Sequence, residues 1–243
     1  MENTHIVKKF DKNLDKLKTR ILEMGELVNH QVEDATAMLG AFDPTEVERI
    51  LLLDLTVNGL HKEVYDRAEL LITRRQPLAQ DLRQTLAPIN IAGELERIGD
   101  HAKSTAKRGR ILCRNSTEET VLDMIQQMST KVQKMLVDVL IAYANDDIEL
   151  AAEVRAQDKD VDTLNKMLVI FLLTGPYPQA SGSSESLVQL TLISRNFERI
   201  GDHRHGLGGL AKGHGQQAGR RRVKRACVAG LLGLQRPAQF IDT

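Results

Sequence analysis

Aromatic residues make up only 3% of the 243 residues, tryptophan is absent, and there are two cysteines. So few large rings exclude a core built on Phe, Tyr and Trp. Leu, Ile, Val, Ala and Met must supply the apolar mass instead, as they do in helical bundles with thin cores. Cys113 and Cys227 form no disulfide framework, which points to a reducing interior. No run of about 18 apolar residues occurs, and no charged segment leads into an apolar one near Met1. The expectation is a soluble, cytoplasmic protein. Ser/His/Asp and Cys/His nucleophile sets, a His-Glu-x-x-His zinc motif and a Walker loop are also missing, so no catalysis is expected.

Net charge is zero, with 33 basic and 33 acidic residues, but the balance is uneven along the chain. Residues 204–243 hold eight Lys or Arg against Asp242 alone, and eight of the 17 glycines. The preceding 203 residues therefore carry 25 basic against 32 acidic side chains.

What the sequence does have is helical periodicity. An amphipathic pattern runs from Val7 to Phe42. Asp43-Pro44-Thr45-Glu46 reads as a helix start, with Asp43 as N-cap, Pro44 at the first position and Glu46 placed for a capping box. That second helix should stop at Gln76-Pro77. A third, from about Leu78 to Cys113, must absorb Pro88. After Arg114-Asn115-Ser116 the scheme restarts. Val121, Ile125, Met128, Val132, Met135 and Val139 form the face of a fourth helix, Asp146 with Glu149 caps a fifth, and a sixth begins near Glu185.

Two segments recur. Asp54-Leu-Thr-Val-Asn58 in the second helix matches Asp158-Lys-Asp-Val-Asp162 in the fifth, at an offset of 104. Glu96-Arg-Ile-Gly-Asp100-His101 in the third is repeated as Glu198-Arg-Ile-Gly-Asp202-His203 in the sixth, at an offset of 102. The chain reads as a duplicated three-helix unit: an all-α protein of two tandem bundles, residues 1–115 and 116–203.

Glu96 and Asp100, four residues apart, stand one turn above each other on one helix face. Their mutual repulsion costs a few tenths of a kcal/mol, and a bridging cation would reverse its sign. At about 100° per residue they lie roughly 140–180° from the apolar stripe Ile91, Leu95, Ile98 and Ala102. Glu198 and Asp202 have the same relation to Ile193, Phe197 and Ile200. Asp54/Asn58 and Asp158/Asp162 sit roughly 100° off their stripes, at the flank. Each unit therefore offers two oxygen pairs near the surface, suited to Mg²⁺, Mn²⁺, iron or Zn²⁺. Any single Glu-x-x-x-Asp is ordinarily a solvated acidic face; the duplication of both pairs is what favours metal. Gly99 and Gly201 fit a close approach at the site, whereas His101 and His203 read either as ligands or as surface and packing residues.

With Arg74-Arg75-Gln76-Pro77-Leu-Ala-Gln-Asp81-Leu82-Arg83, these motifs give the chain a resemblance to the PhoU family, over about residues 5 to 203. The family comprises phosphate-signalling regulators that accompany the high-affinity phosphate transporter. The resemblance implies two similar bundles side by side, surface clusters of iron or zinc on the Glu/Asp-x-x-x-Asp pairs, and dimerisation. It also implies negative control of the phosphate regulon through a transporter ATPase and a sensor histidine kinase.

Two rivals stand beside this reading. A ferritin-like di-metal oxidoreductase needs inward carboxylates and Glu-x-x-His in each half; the only Glu-x-x-His is Glu2-Asn-Thr-His5. A metal-free helical adaptor is the other.

Residues 204–243 depart from the family pattern. Gly206-Leu207-Gly208-Gly209 makes continued helix marginal, so the sixth helix is expected to end just past its motif. That would uncover apolar residues such as Val121, Leu122, Leu168 and Leu172. Gly206-x-Gly208-x-x-Ala211 follows no strand and is no dinucleotide site. The Arg220-Arg221-Arg222-Val-Lys224-Arg225 run is read as part of a tail that is disordered or translated from a shifted frame, with no nucleic-acid role.

Overall fold

The computed structural model describes residues 2–114, 117–156, 158–174 and 184–215. Seven helices are described: α1 (Glu2–Gly40), α2 (Pro44–Arg75), α3 (Ala79–Leu112), α4 (Glu119–Asn145), α5 (Ile148–Ala156), α6 (Asp158–Thr174) and α7 (Ser184–Gly215). Among the described residues there is no strand. No helix among them is long and apolar enough to cross a membrane. The connection between Thr174 and Ser184 and residues 216–243 lie outside the described residues.

Local signals set most boundaries. Asp43 caps α2 through its side chain, which accepts from the Thr45 amide at 2.8 Å, with Pro44 following. The carboxylate of Glu46 is drawn instead to Arg49 at 2.6 Å, a competing partner one helical turn on. Pro88 is accommodated inside α3, where it is buried. The second half differs in detail from expectation. Asp146 is the left-handed C-cap of α4, and the N-cap interaction belongs to Asp147, whose Oδ1 accepts from Leu150 at 3.0 Å. The expected fifth helix is described as α5 and α6, and Gln157 between them lies outside the described residues.

The expected stripes are the core. Ile91, Leu95, Ile98, Ala102, Ile193, Phe197 and Ile200 are all at most 2% exposed. The two three-helix units lie side by side, with α1 against α4 and α3 against α7. The alignment of the halves extends to the first helices. Leu17, Ile21, Met24, Val28 and Val32 correspond at the 104 offset to Val121, Ile125, Met128, Val132 and Leu136, and every one is buried.

The crossing of α1 and α4 obeys the same relation. Thr36 and Ser129 share a buried hydrogen bond of 2.7 Å. Their counterparts in the opposite halves are Leu140 and Gly25, and these also meet: a Cβ added to Gly25 would lie 2.4 Å from Leu140 Cδ1. One pair of equivalent positions therefore touches twice, as a pseudo-two-fold axis between the halves requires.

The sixth helix does not stop after its motif. The α7 backbone continues to Gly215, Leu207 is 1% exposed, and Val121, Leu168 and Leu172 are fully buried. Glycine lowers helix propensity by about 1 kcal/mol per residue without forbidding helix, and tertiary packing of residues such as Leu207 outweighs it.

Candidate metal and inter-lobe site

The first carboxylate set converges where α2 packs on α3. Asp54 and Asn58 occupy successive turns of α2, and Asn58 Nδ2 donates to Asp54 Oδ2 at 3.3 Å. Across the seam stand Glu96, Asp100 and Lys103 of α3. Lys103 Nζ donates to Asp54 Oδ2 at 2.8 Å and also to Asp100 Oδ1, so one ammonium joins the helices. Asp54 is only 4% exposed, not a surface ligand. A position about 100° from one helix's stripe falls where the neighbouring helix covers it, and here α3 does so.

The electrostatics follow from that burial. Desolvation raises the pKa of Glu96, and the charges of Asp100 and Asp54 push the same way, against His61 and Lys103. For Lys103, desolvation lowers the pKa, but hydrogen bonds to Asp100 and Asp54 and their charges outweigh it and the net shift is upward.

The donor chemistry fits a hard or borderline cation. Asp54 Oδ1 and Asn58 Oδ1 are buried oxygens without a hydrogen-bond donor, beside two further carboxylates. Among the described residues, however, no three Asp, Glu, His or Cys side chains already close to a metal-binding arrangement. Lys103 supplies the positive charge instead. Sequence reasoning missed this lysine, although Asp100-x-x-Lys103 is an opposite-charge pair at i,i+3 spacing.

The second set is more open. Asp158 begins α6, and its side chain lies outside the described residues. Asp162 and Glu198 are half-buried and Asp202 is exposed. Glu198 pairs with Arg195 at 3.2 Å. The position equivalent to Lys103 is His205, also outside the described side chains.

Gly99 has a packing role and not a site role. A Cβ there would meet Gln31 Oε1 at 2.9 Å, with Val28 Cγ2 and Val57 Cγ1 at 3.7 Å, so glycine lets α3 approach α1 and α2.

The motif histidines are packing residues as well, and they lie on the pseudo-axis. His101 and His203 stack with ring centroids 5.4 Å apart at 22°. His203 Nδ1 is 2.8 Å from Glu94 Oε2, and His101 bonds Asn196, the counterpart of Glu94. Burial pushes His101 down to about 4, helped by the His203 and Arg199 charges and opposed by the Asn196 bond and the Asp100 charge. Nearby, Asn196 Nδ2 donates to Thr105 Oγ1 at 3.1 Å and Arg108 to Gln189 Oε1 at 2.9 Å, so the seam is polar as well as packed.

Comparison with known proteins agrees with this architecture. The PhoU domain matches residues 21–109 and again 125–205. A phosphate-specific transport system accessory protein PhoU homolog of Rhizobium meliloti is 30% identical over 203 residues, covering 84% of this chain and 85% of that protein. The homolog of that name from Zymomonas mobilis is 36% identical over 199 residues, covering 82% and 83%. The crystal structure of PhoU from Pseudomonas aeruginosa superposes with a TM-score of 0.77 at 30% identity, covering 83% of this chain and 96% of that one. The duplicated helical unit, the paired carboxylate motifs and these matches over both halves place the chain in the PhoU family.

Proposed function

We propose that the chain is a non-catalytic, metal-binding helical adaptor that restrains the phosphate regulon and adjusts high-affinity phosphate uptake. In this reading it contacts the ATPase subunit of a phosphate ABC transporter and a phosphate-sensing histidine kinase. It works in the cytoplasm as a homodimer, meets the membrane only through those partners and takes no nucleic acid. Support comes from relatives named as accessory proteins of phosphate-specific transport systems. The carrying observation is the convergence of Asp54, Asn58, Glu96 and Asp100, with two orphaned buried oxygens, on one seam.

Those four residues would hold a first ion, and Asp158, Asp162, Glu198 and Asp202 a second. Iron or zinc is the leading candidate, with Mg²⁺ and Mn²⁺ as alternatives. A bound cation would supply charge that ties α2 to α3. Elemental analysis of purified protein tests this: metal should fall stepwise in Glu96→Ala/Asp100→Ala and then when Glu198→Ala/Asp202→Ala are added. Unchanged stoichiometry in the quadruple variant would remove the metal reading. The regulatory part predicts that a clean deletion derepresses a phosphate-starvation reporter in high phosphate, and a silent reporter would count against it.

The Lys103 bridge favours a second reading, a metal-free adaptor in which the ammonium replaces the ion. Metal-free protein that still restores repression would support it.

A further inference from the structure

A cleft with a cavity volume of about 280 Å³ opens between the first half of α1 and the last turns of α2. Leu17 and Leu71, 1% and 5% exposed, stand among its lining residues, and Lys9, Lys16, Arg67, Arg74 and Arg75 bring five cations to it with no Asp or Glu among the described lining residues. Arg67 is engaged by Glu63 at 2.6 Å. Among the described residues the other four make no ion pair. Cations in the last turn of a helix complement its dipole, which accounts for Arg74 and Arg75 alone. It leaves Lys9 and Lys16, on the opposing helix, unexplained.

The duplication allows a limited comparison. At the 104 offset, Lys16 and Arg67 correspond to Thr120 in α4 and Phe171 in α6, so the three-helix unit forms without cations at those two positions. The counterparts of Lys9, Arg74 and Arg75 fall outside α4 and α6, so these cations belong to a part of the first unit that the described second unit does not repeat.

The geometry points to an anion site in the first unit for a phosphate-bearing small ligand carrying more than one phosphoryl group. Unpaired cations facing a cleft concentrate positive potential. Guanidinium groups match phosphate oxygens two at a time, and lysines add point charge. The volume approaches the lower end of small-molecule pockets, about 300 Å³, and exceeds what a single phosphate fills.

This inference stands apart from the metal and partner readings, and its test is done on chelator-treated full-length protein. Calorimetric titration uses inorganic pyrophosphate, ATP and orthophosphate as separate probes. Pyrophosphate or ATP should bind, with affinity falling as salt rises, and orthophosphate at least tenfold more weakly. Arg74→Gln/Arg75→Gln and Lys9→Gln/Lys16→Gln should each weaken binding at least tenfold at unchanged helicity by circular dichroism. Lys62→Gln/Lys166→Gln, outside the cleft, should not. Absence of pyrophosphate and ATP binding at millimolar concentration, or equal affinity in the cleft variants, overturns the proposal. So does binding to anionic-lipid vesicles that pyrophosphate fails to displace, since the cations would then face a membrane surface.

Discussion

Leu140 of α4 lies so close over Gly25 of α1 that a Cβ on the glycine would come within 2.4 Å of Leu140 Cδ1. Leu140 is 1% exposed and has little room to yield. Alanine in a helix gains about 1 kcal/mol over glycine, while overpacking costs about 1–3 kcal/mol. Gly25→Ala should therefore be neutral to about 2 kcal/mol less stable in urea unfolding. Gly59→Ala, where nothing lies within 4 Å of the new methyl, should gain about 0.5–1 kcal/mol. Equal gains at both positions would mean that the helices do not approach closely at Gly25.

Stability should depend on pH through His101. Its folded pKa of about 4 lies below the ordinary 6.5, so the fold favours the neutral ring. The contribution is fully present above pH 6.5, declines as pH falls from 6.5 toward 4, and is flat below. Urea midpoints at pH 7.5, 6 and 5 should fall less in His101→Asn than in the parent, since both share the carboxylate titrations. Parallel curves would show that the ring does not titrate in the fold with a lowered pKa.

Lys103→Met removes the cation between Asp54 and Asp100. In chelator the variant should lose about 1–3 kcal/mol, the cost of a buried polar group left unpaired. Added divalent metal should stabilise it more than it stabilises the parent, because the ammonium no longer competes. A parent and variant with the same metal-induced shift in melting temperature would separate Lys103 from the site.

The family match ends at residue 205, next to the point where composition changes. If Arg204 and His205 are encoded CGC and CAC, loss of one base gives Ala-Thr, and the second motif then continues Gly-Asp-His-Ala as Gly99-Asp100-His101-Ala102 does. Resequencing the gene should reveal an alternative frame after His203 that encodes an amphipathic helix. A frame without one leaves residues 204–243 native.

The apolar faces were legible because burial repeats with the helical period: Ile91, Leu95 and Ile98 need only their own helix to be placed. Asp54 was harder. A helical wheel locates it relative to its own stripe but does not say which neighbour covers the flank, and α3 does. Gly99 was legible as a close approach, but not as one toward Gln31, which lies 68 positions away in sequence. The two histidines could be read as a repeated element. Their stacking depended on how two halves dock, which no single motif encodes. The continuation of α7 was missed because propensity is a local quantity, whereas Leu207 gains its burial from the rest of the molecule.

The docking of equivalent surfaces, Thr36 on Ser129 matched by Leu140 on Gly25 and His101 on its own repeat, is the contact pattern of a symmetric dimer held within one polypeptide. Tethering makes that pairing independent of protein concentration. It also releases each half from having to suit an identical mate. Where α6 exposes Met167, Ile170 and Leu173, the first half carries Glu63, Asp66 and Glu69; where the first half has Lys16 and Arg67, the second has Thr120 and Phe171. One molecule thereby presents two different outer faces on a common frame, which an assembly of identical subunits cannot do.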